Sequence, residues 1–420
     1  MSHESLWKKC LEYCSISDMG LRRSNNQDSH SETVARDQKQ WNRRGHLFIV
    51  ADGMGAHAAG ELASKLATDL VPISYFKKTG MPPAEALRAA IQEANEWIHA
   101  RGNADSGHKG MGTTCDALLI LPEGAVIAHV GDSRVYRLRA GRFEQMTFDH
   151  SVAWETEAGL MKPDVPVQKN VITRCLGVNV SVDVALEGPW ELRPGDIFLL
   201  CSDGLSGQFE KKDAEMGKIL SALPLPEATQ VLVDLANLRG GPDNITVTTV
   251  KYLGPQQVAA DVSAAEPVSK TLIDFRPVPA WAWSTLGILG LLTFLCLILT
   301  FRSWLFGAGA LLSLLAAGIL AAAVCRMRQP PPAFPGTGRL GRGPYRAYHA
   351  ECDAEMVKTL RGIYEELRAS TAGQENSGNF QSADRMAQKG EKAAAGGNYT
   401  QGCAEFCRAI SAVWRCLGSG

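Results

Sequence analysis

The sequence predicts an α+β fold class, in which helices cover antiparallel β-sheets, and two observations lead to this prediction. Short apolar runs alternate with turn residues throughout DALLILPEGAVIAHVGDSRVYRLRAGRFEQMT, residues 116–147, as is typical of an antiparallel meander. Long amphipathic helices are predicted ahead of these strands, in AAGELASKLATDLV and PPAEALRAAIQEANEWIHARG. Long helices between runs of antiparallel strands are typical of sheets with helices packed on them.

Each further element has its own signal. The runs HLFIVAD, DIFLLCSD and NITVTTVKYL are short, apolar or β-branched, and bounded by polar residues, so we predict that they are strands. Leu62, Leu66 and Leu70 fall on one stripe of the first helix, which indicates a face that packs on a sheet. The second helix begins with proline, which a helix tolerates in its first turn.

Composition limits the classes of function. Among 420 residues, 43 are basic and 44 acidic, so the net charge of -1 gives no argument for nucleic-acid binding. The 11 cysteines include no Cys-x-x-Cys motif. We expect them to be buried, reduced thiols, which fits a cytosolic compartment.

Two long apolar runs differ from the rest of the sequence, which has the mixed polar and apolar pattern of a soluble protein. The runs AWAWSTLGILGLLTFLCLILTF and WLFGAGALLSLLAAGILAAAVC each have about 22 residues, close to the length that crosses a bilayer, and predict a two-span transmembrane hairpin. Basic residues are more frequent outside the hairpin than in its turn, so both ends are expected on the cytoplasmic side. These features predict a multi-pass protein of the inner (plasma) membrane whose N-terminal domain faces the cytoplasm.

The hairpin divides the chain into five predicted segments. Residues 1–254 form a globular domain, and residues 255–279 are small, polar and proline-bearing, as in a linker. Residues 280–326 are the two spans, and residues 327–344 form a Pro/Gly-rich linker. Residues 345–420 are predicted to be helical.

The C-terminal helical region leaves two structural alternatives open. In DRMAQKGEKAAAGGNYTQGCAEFCRAISAVWR, small residues are placed as in a tetratricopeptide-like helical pair. An ordinary amphipathic hairpin that packs on the preceding helix explains the same pattern. We interpret this region as an interaction region for a protein partner.

Three aspartates recur at the ends of predicted strands. Asp52 ends HLFIVAD, Asp203 ends DIFLLCSD, and Asp243 precedes NITVTTV. If their carboxylates converged without a cation, they would repel one another. Oxygen ligands without histidine or cysteine favour Mg²⁺ or Mn²⁺ over zinc. The sequence therefore predicts a divalent metal site that these strands build.

An ordered set of motifs resembles a known family. SDMGLRRSNNQDS, VADGMGAHAAGELAS, GMGTT, HVGDSRVYRLR, MTFDHS, VITRCLG, LLCSDGL and GPDNITV occur in the order and approximate spacing of the type 2C (PPM) metal-dependent protein Ser/Thr phosphatases, bacterial branch. The resemblance covers residues 11–253. It implies a central antiparallel β-sandwich flanked by helices, a four-layer α-β-β-α arrangement, with a binuclear metal centre in a cleft at one end.

The resemblance implies metal-ligand roles for several residues. Asp52 would bridge two Mn²⁺ or Mg²⁺ ions, and the carbonyl of Gly53 would complete the ligand set of one of them. Asp203 and Asp243 would bind the other ion. Asp132 of the GDSR motif is similar to a residue near a third, weaker metal in this family.

The resemblance also implies roles in catalysis and substrate binding. Asp28 would serve the metal site by orienting the attacking water, and Arg23 would bind the substrate phosphate. Gln27 stands where many family members have glutamate, and Met54 stands where eukaryotic members have a histidine that serves as general acid. Activity is expected to survive both departures, with the leaving group protonated by water or another group.

Together these features predict a membrane-tethered phosphatase that hydrolyses phosphoserine and phosphothreonine in proteins by a metal-activated water. Its expected partners are phosphorylated proteins, namely Ser/Thr kinases or their substrates, and the membrane. The alternative is a non-catalytic phosphoprotein-binding or sensor module with the same fold. The intact set of carboxylates and Arg23 argues against this alternative.

Overall fold

The computed structural model describes most of the N-terminal domain and most of the C-terminal region. The described residues are 10–55, 59–161, 171–210, 212–254, 340–371 and 378–417. Residues 1–258 and 338–420 belong to one compact unit. The predicted linker 255–279 lies outside the described residues, as does most of the Pro/Gly-rich linker.

The described residues form strands and helices with the following bounds. The strands are β1 (Leu11–Asp18), β2 (Asp28–Thr33), β3 (His46–Met54), β4 (Gly112–Thr113), β5 (Cys115–Leu121), β6 (Gly124–Val130), β7 (Arg134–Arg139), β8 (Arg142–Gln145), β9 (Ala185–Trp190), β10 (Ile197–Cys201), β11 (Ile245–Tyr252) and β12 (Arg346–His349). The helices are α1 (Gln38–Arg44), α2 (Ala59–Lys77), α3 (Pro83–Ala104), α4 (Val152–Glu157), α5 (Asp203–Ser206), α6 (Asp213–Ala222), α7 (Leu225–Leu238), α8 (Ala354–Ser370), α9 (Gly378–Ala395) and α10 (Tyr399–Leu417). Short 3₁₀ helices lie at Ser106–His108 and Gly207–Phe209.

The strands form two antiparallel sheets. In sheet 1 the order is β1-β11-β10-β7-β8-β12, and in sheet 2 it is β2-β3-β5-β6-β9, with β4 paired to β3. The predicted meander is present as β5 to β8. Strand β5 pairs with β6 in sheet 2, and β7 pairs with β8 in sheet 1. The chain changes sheets at the turn between β6 and β7, which carries Asp132.

Alternate residues of β10 show how the layers pack. Phe198 and Leu200 join a core cluster with Phe48 of sheet 2, so this face lies between the sheets. Leu199 and Cys201 point the other way, into a cluster formed with the helices. A strand buried on both faces is expected in the middle of a sandwich covered by helices. On the other side α2 packs against β2 and β3, and the layered α-β-β-α part of the predicted fold is present.

The transmembrane part of the predicted fold class requires correction. No helix in the described ranges is long and apolar enough to cross a membrane. The helices that the structure describes carry their apolar residues on faces that pack on sheets and on one another. Residues 280–326, to which both spans were assigned, lie outside the described residues. The two-span hairpin is therefore not supported.

The C-terminal helices pack on the sandwich rather than forming a separate compact unit. Helix α10 contacts α6, α7 and α8, and its buried residues belong to the same cluster as sheet 1. The Ser411 hydroxyl donates a hydrogen bond to the Asp234 carboxylate on α7, and Arg408 Nε lies 2.7 Å from Glu227 Oε2. Helices α9 and α10 pack on one another, and α10 also packs on α8, an arrangement that fits both alternatives for this region.

This packing predicts that the C-terminal helices unfold together with the N-terminal domain. Ile410 is fully buried among apolar side chains, so Ile410→Ala in the full chain is expected to lower the free energy of unfolding by about 2–5 kcal/mol. Denaturant unfolding should show one shifted transition, and Lys392→Ala on the exposed face of α9 should change little. A separate transition that alone responds to Ile410→Ala would contradict the shared core.

Candidate metal centre and active site

The predicted carboxylates come from the ends of strands in both sheets. Asp28 begins β2 and lies directly opposite Asp52 on β3 in the antiparallel register. Gly53 follows Asp52, and its N–H donates a 3.0 Å hydrogen bond to the Gln27 carbonyl. Register between neighbouring strands thus places the first two carboxylates side by side.

Sheet 1 supplies Asp203 and Asp243 from the ends of two neighbouring strands. Asp203 begins α5 directly after β10, and Asp243 precedes the neighbouring strand β11. A Cβ on Gly204 would lie 1.8 Å from the Asn244 carbonyl oxygen. Only glycine therefore lets the start of α5 pack against the backbone that carries Asp243.

Asp132 lies in the turn between β6 and β7, and a hydroxyl network connects this turn to Asp52. The Ser133 and Thr114 hydroxyls are 2.8 Å apart. The Thr114 hydroxyl accepts a 2.8 Å hydrogen bond from the Asp52 N–H, and the Thr114 N–H donates to the Asp52 carbonyl at 2.8 Å. Thr114 therefore holds the backbone of Asp52 from both sides.

Burial and mutual repulsion disfavour the ionised forms of these carboxylates. Burial, together with the charges of Asp28, Asp203, Asp132 and Asp243, raises the pKa of Asp52 well above its usual value. Burial raises the pKa of Asp28 to about 7 and that of Asp132 to about 8, and Asp203 adds to both shifts. The pKa of Asp203 is also raised, by burial and then by Asp243. Carboxylates that raise one another's pKa in this way converge on one region and need positive charge to ionise together.

The donor set fits a hard divalent cation. Oδ1 of Asp28 is buried and accepts no hydrogen bond from the residues that the structure describes. Within those residues, no group of three or more acidic, histidine or cysteine side chains is placed closely enough to hold a metal ion as it stands. The charge coupling among the carboxylates is therefore the evidence for convergence, and oxygen-only donors are those that Mn²⁺ and Mg²⁺ prefer.

Arg23 lies at the rim of this region. Its Nη2 is 2.6 Å from Asp243 Oδ2, and the two side chains are 44% and 32% exposed. A guanidinium carries five N–H donors in a planar fork that matches phosphate oxygens. Arg23 is thus placed both next to a predicted metal ligand and within reach of solvent.

Two residues that the sequence analysis did not single out position the predicted ones. The Ser202 hydroxyl donates to Asp28 Oδ2 at 2.7 Å and accepts from the Thr246 N–H at 3.0 Å. Asn244 accepts a hydrogen bond from the Gln27 N–H and donates to the carbonyls of Met19 and Asn25, so it fixes the loop that carries Arg23. Ser202 lies within the LLCSDGL motif and Asn244 within GPDNITV, so these motifs are the sequence signal that could have identified both residues.

The chain segment 151–177, between β8 and β9, is described at both ends. Ser151 pairs with Ile172 in an isolated bridge, and α4 follows directly after Ser151. The middle of this segment, 162–170, lies outside the described residues, as does His57, the histidine three residues after Met54. Met54 ends β3 opposite Gly112 on β4.

Comparison with known proteins assigns the family. The family model described as protein phosphatase 2C matches residues 22–236 of this chain. The protein phosphatase PhpP of Streptococcus pneumoniae is 35% identical over 248 residues, which are 57% of this chain and 97% of that relative.

Two solved structures are similar as well. The Mycobacterium tuberculosis serine/threonine phosphatase PstP/Ppp has 34% identity and a TM-score of 0.50, over 58% of this chain and 99% of that one. Stp1 of Staphylococcus aureus, also a serine/threonine phosphatase, has 31% identity and a TM-score of 0.51, over 58% and 96%. With the matched motifs, the sandwich and the converging carboxylates, the chain belongs to the protein phosphatase 2C family.

Proposed function

We propose that this chain hydrolyses phosphoserine and phosphothreonine in proteins, in a reaction that depends on Mn²⁺ or Mg²⁺. The observation that carries the proposal is the convergence of buried carboxylates from the ends of both sheets, each raising the pKa of others. The names of similar proteins, which are serine/threonine phosphatases, support the substrate class. Dependence on these ions accords with membership of the family.

Specific residues would hold the ions. Asp52 and the carbonyl of Gly53 would take one, Asp203 and Asp243 a second with Asp52 shared, and Asp132 would contribute to a third. Bound there, divalent ions would supply positive charge and lower the pKa of water toward neutrality. Neighbouring residues in each sheet support these ligands. Thr114 accepts a hydrogen bond from the Asp52 N–H, and Gly204 permits close packing of the backbone beside Asp203.

The remaining chemistry belongs to Asp28 and Arg23. Ser202 holds one oxygen of Asp28, which would leave Oδ1 to accept a hydrogen bond from the attacking water and so orient it. Arg23 would bind the phosphate oxygens and oppose the charge that develops on them. Burial raises the pKa of the Cys115 and Cys201 thiols far above neutrality, so neither is an activated nucleophile.

The partners that fit this site are phosphorylated proteins. Kinases as partners, a partner at the C-terminal helices and a cytoplasmic location of the catalytic domain stay predictions. Residues of the site alone do not select among phosphoproteins, because substrate choice in such a fold is set by variable loops beside the cleft.

Metal removal tests the proposal. The purified full chain should release phosphate from a phosphothreonine peptide with added Mn²⁺, should lose this activity in EDTA and should regain it when Mn²⁺ is restored. Alkylation of accessible thiols should leave the activity intact. Full turnover in metal-free buffer, or no turnover with either ion, would refute the proposal.

Arg23 is predicted to bind substrate rather than metal. Arg23→Ala should raise KM for a phosphopeptide by about tenfold, since one charge-assisted contact to phosphate is lost. Arg22→Ala, at the exposed neighbouring position, is the matched control and should change KM little. Loss of Mn²⁺ binding in Arg23→Ala would show that Arg23 supports the metal site instead.

A further inference from the structure

We propose that residues 340–350, which we call the clasp, set the position of helix α4 beside the active site, and that Arg346 is the positioning residue. The proposal rests on the proposed phosphatase function, because it assigns the clasp an effect on how protein substrates bind. The clasp lies between residues 255–339, which are outside the described residues, and helix α8. It therefore belongs to the C-terminal region and not to residues 22–236, which the family model matches.

The clasp connects the edges of the two sheets. Leu340 and Gly188 of β9 exchange backbone hydrogen bonds of 2.6 and 3.1 Å. A few residues later, β12 pairs antiparallel with β8, with Arg346 opposite Gln145. One short segment thus adds a strand to sheet 1 and a bridge to sheet 2, which fixes its backbone.

Side chains fix the middle of the clasp. Glu187 accepts hydrogen bonds from the Gly343 N–H, at 3.0 Å, and from the Tyr345 hydroxyl. The Tyr345 N–H donates to the Gln145 carbonyl at 2.9 Å, and its ring meets Phe148 edge to face at 5.4 Å. The residue before Arg346 is therefore held on both sheets.

From this fixed backbone, Arg346 reaches across to α4. Its Nη2 is 2.8 Å from Glu157 Oε2 at the end of the helix. Its guanidinium carbon lies 4.0 Å from the centre of the Trp154 ring, within cation–π distance. An ion pair and a ring contact from one guanidinium restrict both the position and the rotation of the helix.

Helix α4 is in turn coupled to the Asp132 side of the site. The other close guanidinium on Trp154 is that of Arg134, 5.5 Å from the ring centre. Arg134 is the first residue of β7, two residues after Asp132, and pairs with Asp149 at 2.7 Å. His150, the residue directly before segment 151–177, donates its N–H to the Gly131 carbonyl at 2.7 Å. Displacement of α4 would therefore disturb the start of segment 151–177 and, through Arg134, the turn that carries Asp132.

The contact is suited to positioning more than to stability. Arg346 and Glu157 are 32% and 69% exposed, and an ion pair at that exposure contributes little to folding. Removing it is expected to move α4 while the sandwich stays folded. A protein substrate that spans the cleft would sense this change, whereas a small aryl phosphate that reaches only the metal site would not.

The test compares Arg346→Met with Arg361→Met in the full chain. Arg361 makes a similar exposed ion pair with Glu391, between α8 and α9, and is the matched control. Arg346→Met should raise KM for a phosphothreonine peptide about threefold to tenfold. Its turnover of p-nitrophenyl phosphate and its Tm should stay near those of the unaltered chain. Arg346→Lys, which keeps the charge but loses the planar stack, should be intermediate.

Hydrogen exchange provides a readout that does not depend on activity. Amides of α4 should exchange faster in Arg346→Met and in Glu157→Gln, while those of α7 should not change. Unchanged exchange in α4 together with an unchanged KM would overturn the proposal, as would equal losses with both substrates accompanied by a lower Tm. If the unaltered chain proved inactive, the proposed function would fail, and the exchange measurement alone would still decide whether the clasp holds α4.

Discussion

Changing Asp52 to asparagine is expected to lower kcat/KM for a phosphothreonine peptide by roughly a thousandfold or more, because a carboxylate that two metal ions would share is worth several kcal/mol to the transition state. Asp52 lies opposite Asp28, and the charges of the other site carboxylates all raise its pKa. Removing its charge relieves that repulsion, so the folded state should be retained. Circular dichroism and the unfolding midpoint would check this alongside turnover.

The matched control is Asp69→Asn. Asp69 is an exposed carboxylate on α2 that pairs with Lys65 one helical turn earlier, so its loss should leave turnover unchanged. If Asp52→Asn retained more than about a tenth of the activity, less than 1.4 kcal/mol of stabilisation would come from this carboxylate. Asp52 would then not be the shared ligand.

His129→Ala is expected to lower the free energy of unfolding by about 3–5 kcal/mol, because it leaves a buried carboxylate without its partner. His129 on β6 faces Asp116 on β5, with Nδ1 2.7 Å from Oδ1, and both side chains are buried. Burial lowers the pKa of His129, but Asp116, together with Asp149 and the Phe148 carbonyl, outweighs burial, so the pKa lies above its usual value. The second Asp116 oxygen accepts no hydrogen bond from the described residues.

Denaturant unfolding measures this loss, and Lys65→Ala is its control. Lys65 makes an exposed pair within one helix, so its removal should cost no more than about 0.5 kcal/mol. A His129→Ala variant that unfolds within about 1 kcal/mol of the unaltered chain would mean that Asp116 is protonated in the folded protein and needs no partner.

Local patterns were sufficient to predict the strands that carry the site. HLFIVAD and DIFLLCSD read as strands because their apolar runs are short and end at a polar residue, and both are strands here. Asp52 and Asp203 then fall at strand ends by counting alone. That they converge is a property of sheet order, since β3 and β10 belong to different sheets, and strand order is not encoded in a local pattern.

Contacts between distant parts of the chain could not be predicted in this way. The clasp strand β12 has four residues, and its partner β8 lies about 200 residues earlier. His129 is a single polar residue in an apolar strand, and only the register reveals Asp116 opposite it. The C-terminal helices were predicted from their periodicity, but periodicity identifies an apolar face without identifying what covers it. The structure shows that α7 covers part of it.

The central claim is that carboxylates from both sheets form one metal centre, and calorimetric titration of the full chain with Mn²⁺ tests it most directly. The account predicts binding of at least about two ions by the unaltered chain. It also predicts loss of at least one ion in Asp203→Asn, from sheet 1, and in Asp52→Asn, from sheet 2. Unchanged stoichiometry and affinity in both variants would contradict it.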